Sequence, residues 1–201
     1  MDPSATDDDL RPVLDELRKF EGLVQHFYLV ESDDGTPGVT LGIGCLITSA
    51  DQARALPFYH LDGTPAAPDE VAAEFDRVQS ASLGHAPAFY SGAILMTVND
   101  AYDLGCARLR ASFFDLADTF PAWGTFPLGP WQCLLDLHWN CGSLRHGWPR
   151  LLAACNAVPP DWQAASENCT TANPKNSPAR AARNAWRVER MRSAIAQPAV
   201  S

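Results

Sequence analysis

The sequence predicts an α+β fold of mostly helical character. Three observations carry this reading. Apolar residues recur at helical spacing through most of residues 9–195, a single short segment at 39–47 reads as a strand, and Pro and Gly cut the chain into short pieces.

The elements follow in order. Leu10, Val13, Leu14, Leu17, Phe20, Val24, Phe27 and Tyr28 keep helical spacing, so one helix is expected over 9–29, with Asp7 to Asp9 at its N-terminus. Residues 31–38 (ESDDGTPG) have turn composition, and 39–47 (VTLGIGCLI) reads as a strand. Residues 57–68 are rich in Pro and Gly and are expected to be a loop. A helix is expected over 69–80, followed by a looser stretch to about Gly92. TVND at 97–100 resembles a capping box and starts a helix through about Thr119. Helices are also expected at 131–139, 149–157, 161–168 and about 179–195, separated in part by prolines at 159, 160, 174 and 178.

Hydrophobic residues make up 46% and charged residues 19% of the 201 residues, a balance that suits a globular chain. There is no apolar run of about 18 residues, so no membrane span is expected. The N-terminal stretch lacks the basic and apolar regions of a signal peptide. A net charge of −9 argues against nucleic acid as the main partner. Ten of the acids fall within residues 1–35. Arg180, Arg183, Arg187, Arg190 and Arg192 cluster near the end, either as a solvated helix face or as partners for carboxylates near a site. The six cysteines form no CxxC pair and suit either disulfides or buried thiols.

Glu21 lies four residues after Leu17, three before Val24 and seven before Tyr28, on the apolar stripe. A carboxyl held there is expected to have its pKa raised, as a general acid requires. The ordinary alternative is a glutamate at the stripe's edge paired with Arg18. Gly22, read as a helix-interior glycine, suggests close approach. In the strand, Val39, Leu41, Ile43 and Cys45 share one face, while Thr40, Gly42 and Gly44 share the other. A bare glycine face marks either the floor of a cleft or a strand packed tightly under a helix. With a second carboxylate from the acidic turn, the set suggests glycoside hydrolysis.

Glu21-Gly22, then Tyr28, an acidic turn and Thr40-Leu41-Gly42-Ile43-Gly44 resemble the phage-type lysozymes, glycoside hydrolase family 24. That family has a helix ending in Glu-Gly, an aromatic-x-Asp turn and a Thr-x-Gly-x-Gly strand. WQCLLDLHWNCGSLRHGWPRLLAACN is similar to a later family helix, matching at Gln132, Leu135, Asn140, Gly142, Leu151 and Leu152. RAARNAWRVERM resembles the arginine-rich last helix, where an arginine neutralises the catalytic Glu.

The resemblance implies one lysozyme-like domain over 1–201, with a helix and β-hairpin lobe at about 9–60, a larger helical lobe at about 69–195, and a cleft. It implies catalytic roles for Glu21, Asp34 and Thr40, and substrate binding by Tyr28, Gly42, Gly44, Asn140 and Arg183. The family's aspartate position holds Val30 here; counting back six from Thr40 selects Asp34, with Asp33 and Glu31 as alternatives. Cys45 replaces the family's usual histidine, and the acidic charge is a further departure.

The implied activity is a muramidase cleaving the β-1,4 bond between N-acetylmuramic acid and N-acetylglucosamine, with no metal or organic cofactor. The expected partner is the peptidoglycan glycan strand, met by a monomer in the periplasm or on the cell wall. Such divergence resembles lysozyme-like secretion effectors, which reach a rival cell without a signal peptide and for which an immunity protein is a conceivable partner. It also suits a phage endolysin. Other readings are a non-catalytic peptidoglycan-binding module, a metal site from Cys133, His138, Cys141 and His146, and a Cys–His peptidase using Cys45 and His138.

Overall fold

The computed structural model describes residues 6–31, 35–172 and 177–195. The fold is α+β and mostly helical, with a small antiparallel sheet. The chain divides into two compact units, Leu14–Arg108 and Met1–Val13 with Leu109–Ser201.

The first helix, α1, spans Asp7–Glu21 and opens on three aspartates that face the positive end of its dipole. It stops eight residues before the expected end. Gly22 adopts φ +74° and its N–H donates to the Arg18 carbonyl (2.8 Å), closing the last turn. Nothing lies within 4 Å of a side chain built at Gly22. This glycine therefore serves helix termination, not close approach. The apolar spacing that continued to Tyr28 belongs to a strand, β1 (Val24–Glu31).

β1 pairs antiparallel with β2 (Pro37–Gly42), and β2 pairs with β3 (Cys45–Ile47). A bulge separates the Val24–Gly42 pair from the Tyr28–Thr40 pair. The segment expected as one strand at 39–47 is thus a hairpin. Leu41 faces Cys45, and Gly42 (φ +64°) and Gly44 (φ +69°) supply the left-handed backbone of the turn.

Within the expected loop at 57–68, Tyr59–His60 forms β4, which pairs with β5 (Ile94–Leu95); α2 (Ala50–Arg54) precedes β4 and α3 (Pro68–Gln79) follows it. The Glu70 carboxylate accepts from the Ala67 N–H (2.7 Å) and secures the start of α3. α4 (Val98–Thr119) begins as the sequence suggests, the Thr97 hydroxyl accepting from the Asp100 N–H (3.1 Å).

The core of the Leu14–Arg108 unit gathers Phe27, Phe58 and Phe75 with Leu41, Val71, Val78 and Met96. Phe27 stacks on Phe58 at 4.8 Å and meets Phe75 edge-on at 5.9 Å. In the other unit, α5 (Leu128–Cys141) packs on α8 (Pro178–Arg192), α8 on α7 (Trp162–Glu167), and α7 on α6 (Pro149–Cys155), and the rings of Phe113, Phe120, Trp123 and Trp131 form a cluster. A Cβ at Gly129 would lie 2.3 Å from the Arg190 carbonyl, so α5 and α8 approach closely because that position is glycine. All six tryptophans lie in this unit and all four tyrosines in the other. Among the described residues, no helix is long and apolar enough to cross a membrane.

Candidate active site

The site centres on the end of α1 and the β2–β3 hairpin. Glu21 is the last residue of α1 and is half-buried. Its carboxyl lies directly on Gly44: a Cβ there would sit 2.8 Å from Glu21 Oε2 and 3.1 Å from Cδ. The positive φ strains any side chain at position 44, and one placed there would have to displace the Glu21 carboxyl. The close approach expected of the glycine face is therefore real at Gly44, and its cause is the Glu21 carboxyl. A Cβ at Gly42 would meet only ordinary contacts with Ala101, at 3.6 Å and beyond, so Gly42 is required by its backbone conformation.

Tyr28 and Thr40 are direct cross-strand partners, and both are buried. The Thr40 hydroxyl donates to the Gly38 carbonyl at 3.5 Å, a long contact. Burial pushes the Tyr28 phenol up to about 12, and the Glu21 carboxylate adds to the shift. Burial also pushes the Cys45 thiol up to about 11; Arg108 opposes this and Glu21 reinforces it. Glu21, Tyr28, Cys45 and Arg108 therefore share one electrostatic neighbourhood. Arg108 enters it from α4, its Nη1 donating to the Gly44 carbonyl (3.1 Å). Arg18, the alternative partner for Glu21, donates instead to the Tyr102 hydroxyl (3.0 Å).

Glu21, Tyr28, Thr40, Gly42 and Gly44 thus belong to the same unit and adjoin one hairpin. Asp34, the favoured second carboxylate, and Asp33 lie outside the described residues. Glu31 is exposed at the end of β1, opposite Pro37. Asn140 and Arg183 belong to the other unit. Asn140 is exposed next to the end of α5, where Gly142 caps the helix at φ +74°.

Arg183 and Arg187 converge on Asp136, which is fully buried. Arg183 Nε donates to Asp136 Oδ1 (2.9 Å), and Arg187 Nε pairs with Oδ2. Arg187 Nη1 also donates to Thr171 Oγ1 (3.3 Å) and Asn184 Oδ1 (3.2 Å). Two arginines of the terminal cluster therefore do pair with a carboxylate, inside the helical unit.

Sequence reasoning missed Arg108 and Asp136. For Arg108 the signal existed: it lies four residues after Leu104 and seven after Ala101, so it belongs to α4's apolar stripe, by the argument that singled out Glu21. For Asp136 the signal was an acid inside a helix apolar on all sides, together with arginines spaced i, i+4 in α8.

All six cysteines are free thiols, and only Cys141 is exposed. Cys155 and Cys169, which bracket a short segment, are both buried and unbridged. A thiol with a pKa near 11 is almost wholly protonated at neutral pH, so Cys45 is a poor nucleophile. His138 Nε2 lies 2.9 Å from an Asp115 carboxylate oxygen. Among the described residues, no group of three or more His, Cys, Asp or Glu side chains is placed to hold a metal ion. A thiol-specific reagent added to the native protein is expected to modify one cysteine of six before the rest, the exposed Cys141, slowed because partial burial of its sulfur raises that thiol's pKa, and the others only after unfolding. Rapid modification of Cys45, located by peptide mapping, would contradict the burial described.

No family model matches the chain, and no curated protein sequence matches it.

Proposed function

We propose that the protein is a peptidoglycan hydrolase, a muramidase cleaving the β-1,4 bond between N-acetylmuramic acid and N-acetylglucosamine. One observation carries the reading: the Glu21 carboxyl lies on the bare Gly44 turn, beside strands that pair Tyr28 with Thr40. The resemblance of Glu21-Gly22 and Thr40-Leu41-Gly42-Ile43-Gly44 to the phage-type lysozymes supports the same reading.

In this mechanism Glu21 gives its proton to the glycosidic oxygen as the bond to the anomeric carbon breaks. Water adds to that carbon, and an ionised carboxylate of the β1–β2 connection takes up the water's proton. Asp34 is the proposed acceptor, with Asp33 of the same connection and Glu31 at the end of β1 as the alternatives. Thr40 aligns the water or the sugar. The cell wall is the site of action, for an antibacterial effector or a phage endolysin.

The test is digestion of purified peptidoglycan, with soluble products identified by mass spectrometry. Muropeptides with N-acetylmuramic acid at the reducing end are expected. Products reduced at N-acetylglucosamine would indicate a different glycosidase. Sedimentation with the polymer and no released fragments would make the chain a binding module.

A further inference from the structure

We propose that Cys133 and Cys169 are a disulfide-forming pair, joined by exchange with a small disulfide as the chain folds, and that the bond ties α5 to the segment after α7. Both residues belong to the unit that holds α5 to α8, and both are fully buried. Cys133 lies in α5, and Cys169 follows the end of α7 by two residues. Their side chains meet. The Cys133 thiol donates to the Cys169 sulfur, and the Cys169 thiol donates in turn to the Ser166 carbonyl (3.3 Å). Contact between two sulfurs is the first requirement for a bond about 2.05 Å long.

The pair is chemically unequal. Donation from Cys133, helped by the Arg187 guanidinium, holds the Cys169 thiol below its ordinary pKa against the opposing effect of burial. Burial pushes the Cys133 thiol well above its ordinary pKa. Once the two have come together, Cys169 is therefore the attacking thiolate and Cys133 the resolving thiol. In the first step the Cys169 thiolate attacks one sulfur of oxidised glutathione, the S–S bond of glutathione breaks, and one glutathione thiolate leaves. In the second, the Cys133 sulfur loses its proton and attacks the Cys169 sulfur of that mixed disulfide, and the second glutathione leaves. The protein gives up two electrons and two protons, and oxidised glutathione takes up both to become two thiols. The folded chain shields both sulfurs, so the oxidant reaches them only before the helices have fully closed. The same packing then protects the finished bond from reductants.

Cys155 is the competing partner. It is buried as well, and Cys169 acts on it through charge, without the hydrogen bond that joins Cys169 to Cys133. Cys45 and Cys106 belong to the other unit. The segment that carries Cys169 is already tied to α8 two residues later: the Thr171 N–H donates to Asn184 Oδ1 (3.1 Å), and Asn184 Nδ2 donates to the Thr171 carbonyl (2.8 Å). A bond from Cys133 to Cys169 adds a covalent tie from that segment to α5, the helix whose Asp136 already pairs with Arg183 and Arg187 of α8. Closing residues 133–169 into a loop also removes conformations open to the unfolded chain.

The experiment starts from reduced wild-type protein unfolded in urea, refolded by dilution into a mixture of reduced and oxidised glutathione. The product is alkylated, digested without reduction and mapped by mass spectrometry. One cross-linked peptide pair is expected, holding Cys133 and Cys169. The urea midpoint of this product is expected to lie about 1 M above that of protein refolded and kept in dithiothreitol. Cys133→Ala is expected to abolish that difference. Cys155→Ala is expected to keep both the bond and the difference, which separates the bond's effect from the mere loss of a buried sulfur. No cross-linked pair, a bridge from Cys169 to Cys155 or to any other cysteine, or a bond that leaves the midpoint unchanged would each overturn the proposal. The wild-type map and midpoint decide it even where a variant fails to fold, and neither depends on cleavage of peptidoglycan.

Discussion

Glu21→Gln is expected to slow peptidoglycan cleavage by about 10²- to 10⁴-fold, the usual contribution of a positioned general acid, while the fold stays intact. Such a loss corresponds to about 3–5 kcal/mol of transition-state stabilisation. The substitution keeps the shape of the side chain, so the carboxamide still fills the space above Gly44. It removes the acidic proton that the leaving oxygen needs, together with the carboxyl's charge. The loss should therefore appear in kcat, with KM little changed. Urea unfolding of the variant checks that it is folded under the assay conditions. Near-normal kcat in a folded Glu21→Gln protein would place the acid elsewhere and end the mechanism proposed for this site.

Asp136→Ala is expected to destabilise the helical unit by about 3–5 kcal/mol, the cost of breaking a buried ion pair from one side. Asp136 and Arg187 are both fully buried, and Arg183 is nearly so. Removing the carboxylate leaves two guanidinium groups inside the α5–α8 packing without their counter-ion. A loss of that size is a large fraction of the roughly 5–15 kcal/mol that ordinary domains hold in total. The measurement is the urea midpoint by far-ultraviolet circular dichroism, with the m-value checked for two-state behaviour. A change below about 1 kcal/mol would mean that solvent reaches the arginines once Asp136 is gone. Replacing all three residues by apolar side chains of similar volume is the instructive contrast, because it removes the charges together with their desolvation cost.

Much of the helical frame was legible. DEVAAEFDRVQS was expected as a helix at 69–80 and forms one at Pro68–Gln79; TVND opens α4 through the Thr97 cap. These segments carry their own start signals, so local chemistry decides them. The end of α1 was misread because Phe20, Val24, Phe27 and Tyr28 continue its spacing by coincidence. The decisive signal was Gly22, whose positive φ stops the helix and hands the next residues to the sheet. The resemblance implied this stop; the periodicity argued against it.

At the site, Gly44 and Glu21 were both singled out, but not their mutual contact, which depends on the hairpin turning back onto the helix end. Thr40 opposite Tyr28 was likewise invisible, since strand register depends on the bulge between Val24 and Tyr28. Asp136 lay hidden for a related reason: its partners are 47 and 51 residues away, and no local pattern links them.

The division of aromatic residues between the two units gives the protein a built-in pair of optical probes. Indole emission arises wholly from the unit that contains α5 to α8, and phenol absorbance wholly from the unit that carries the hairpin. Light chosen to excite only indoles therefore follows one unit, and the phenol bands resolved from the indole bands in the second-derivative ultraviolet spectrum follow the other. Coincident unfolding curves would show the units melting as one cooperative body, and separated curves would give each its own midpoint, with no label attached and no residue changed.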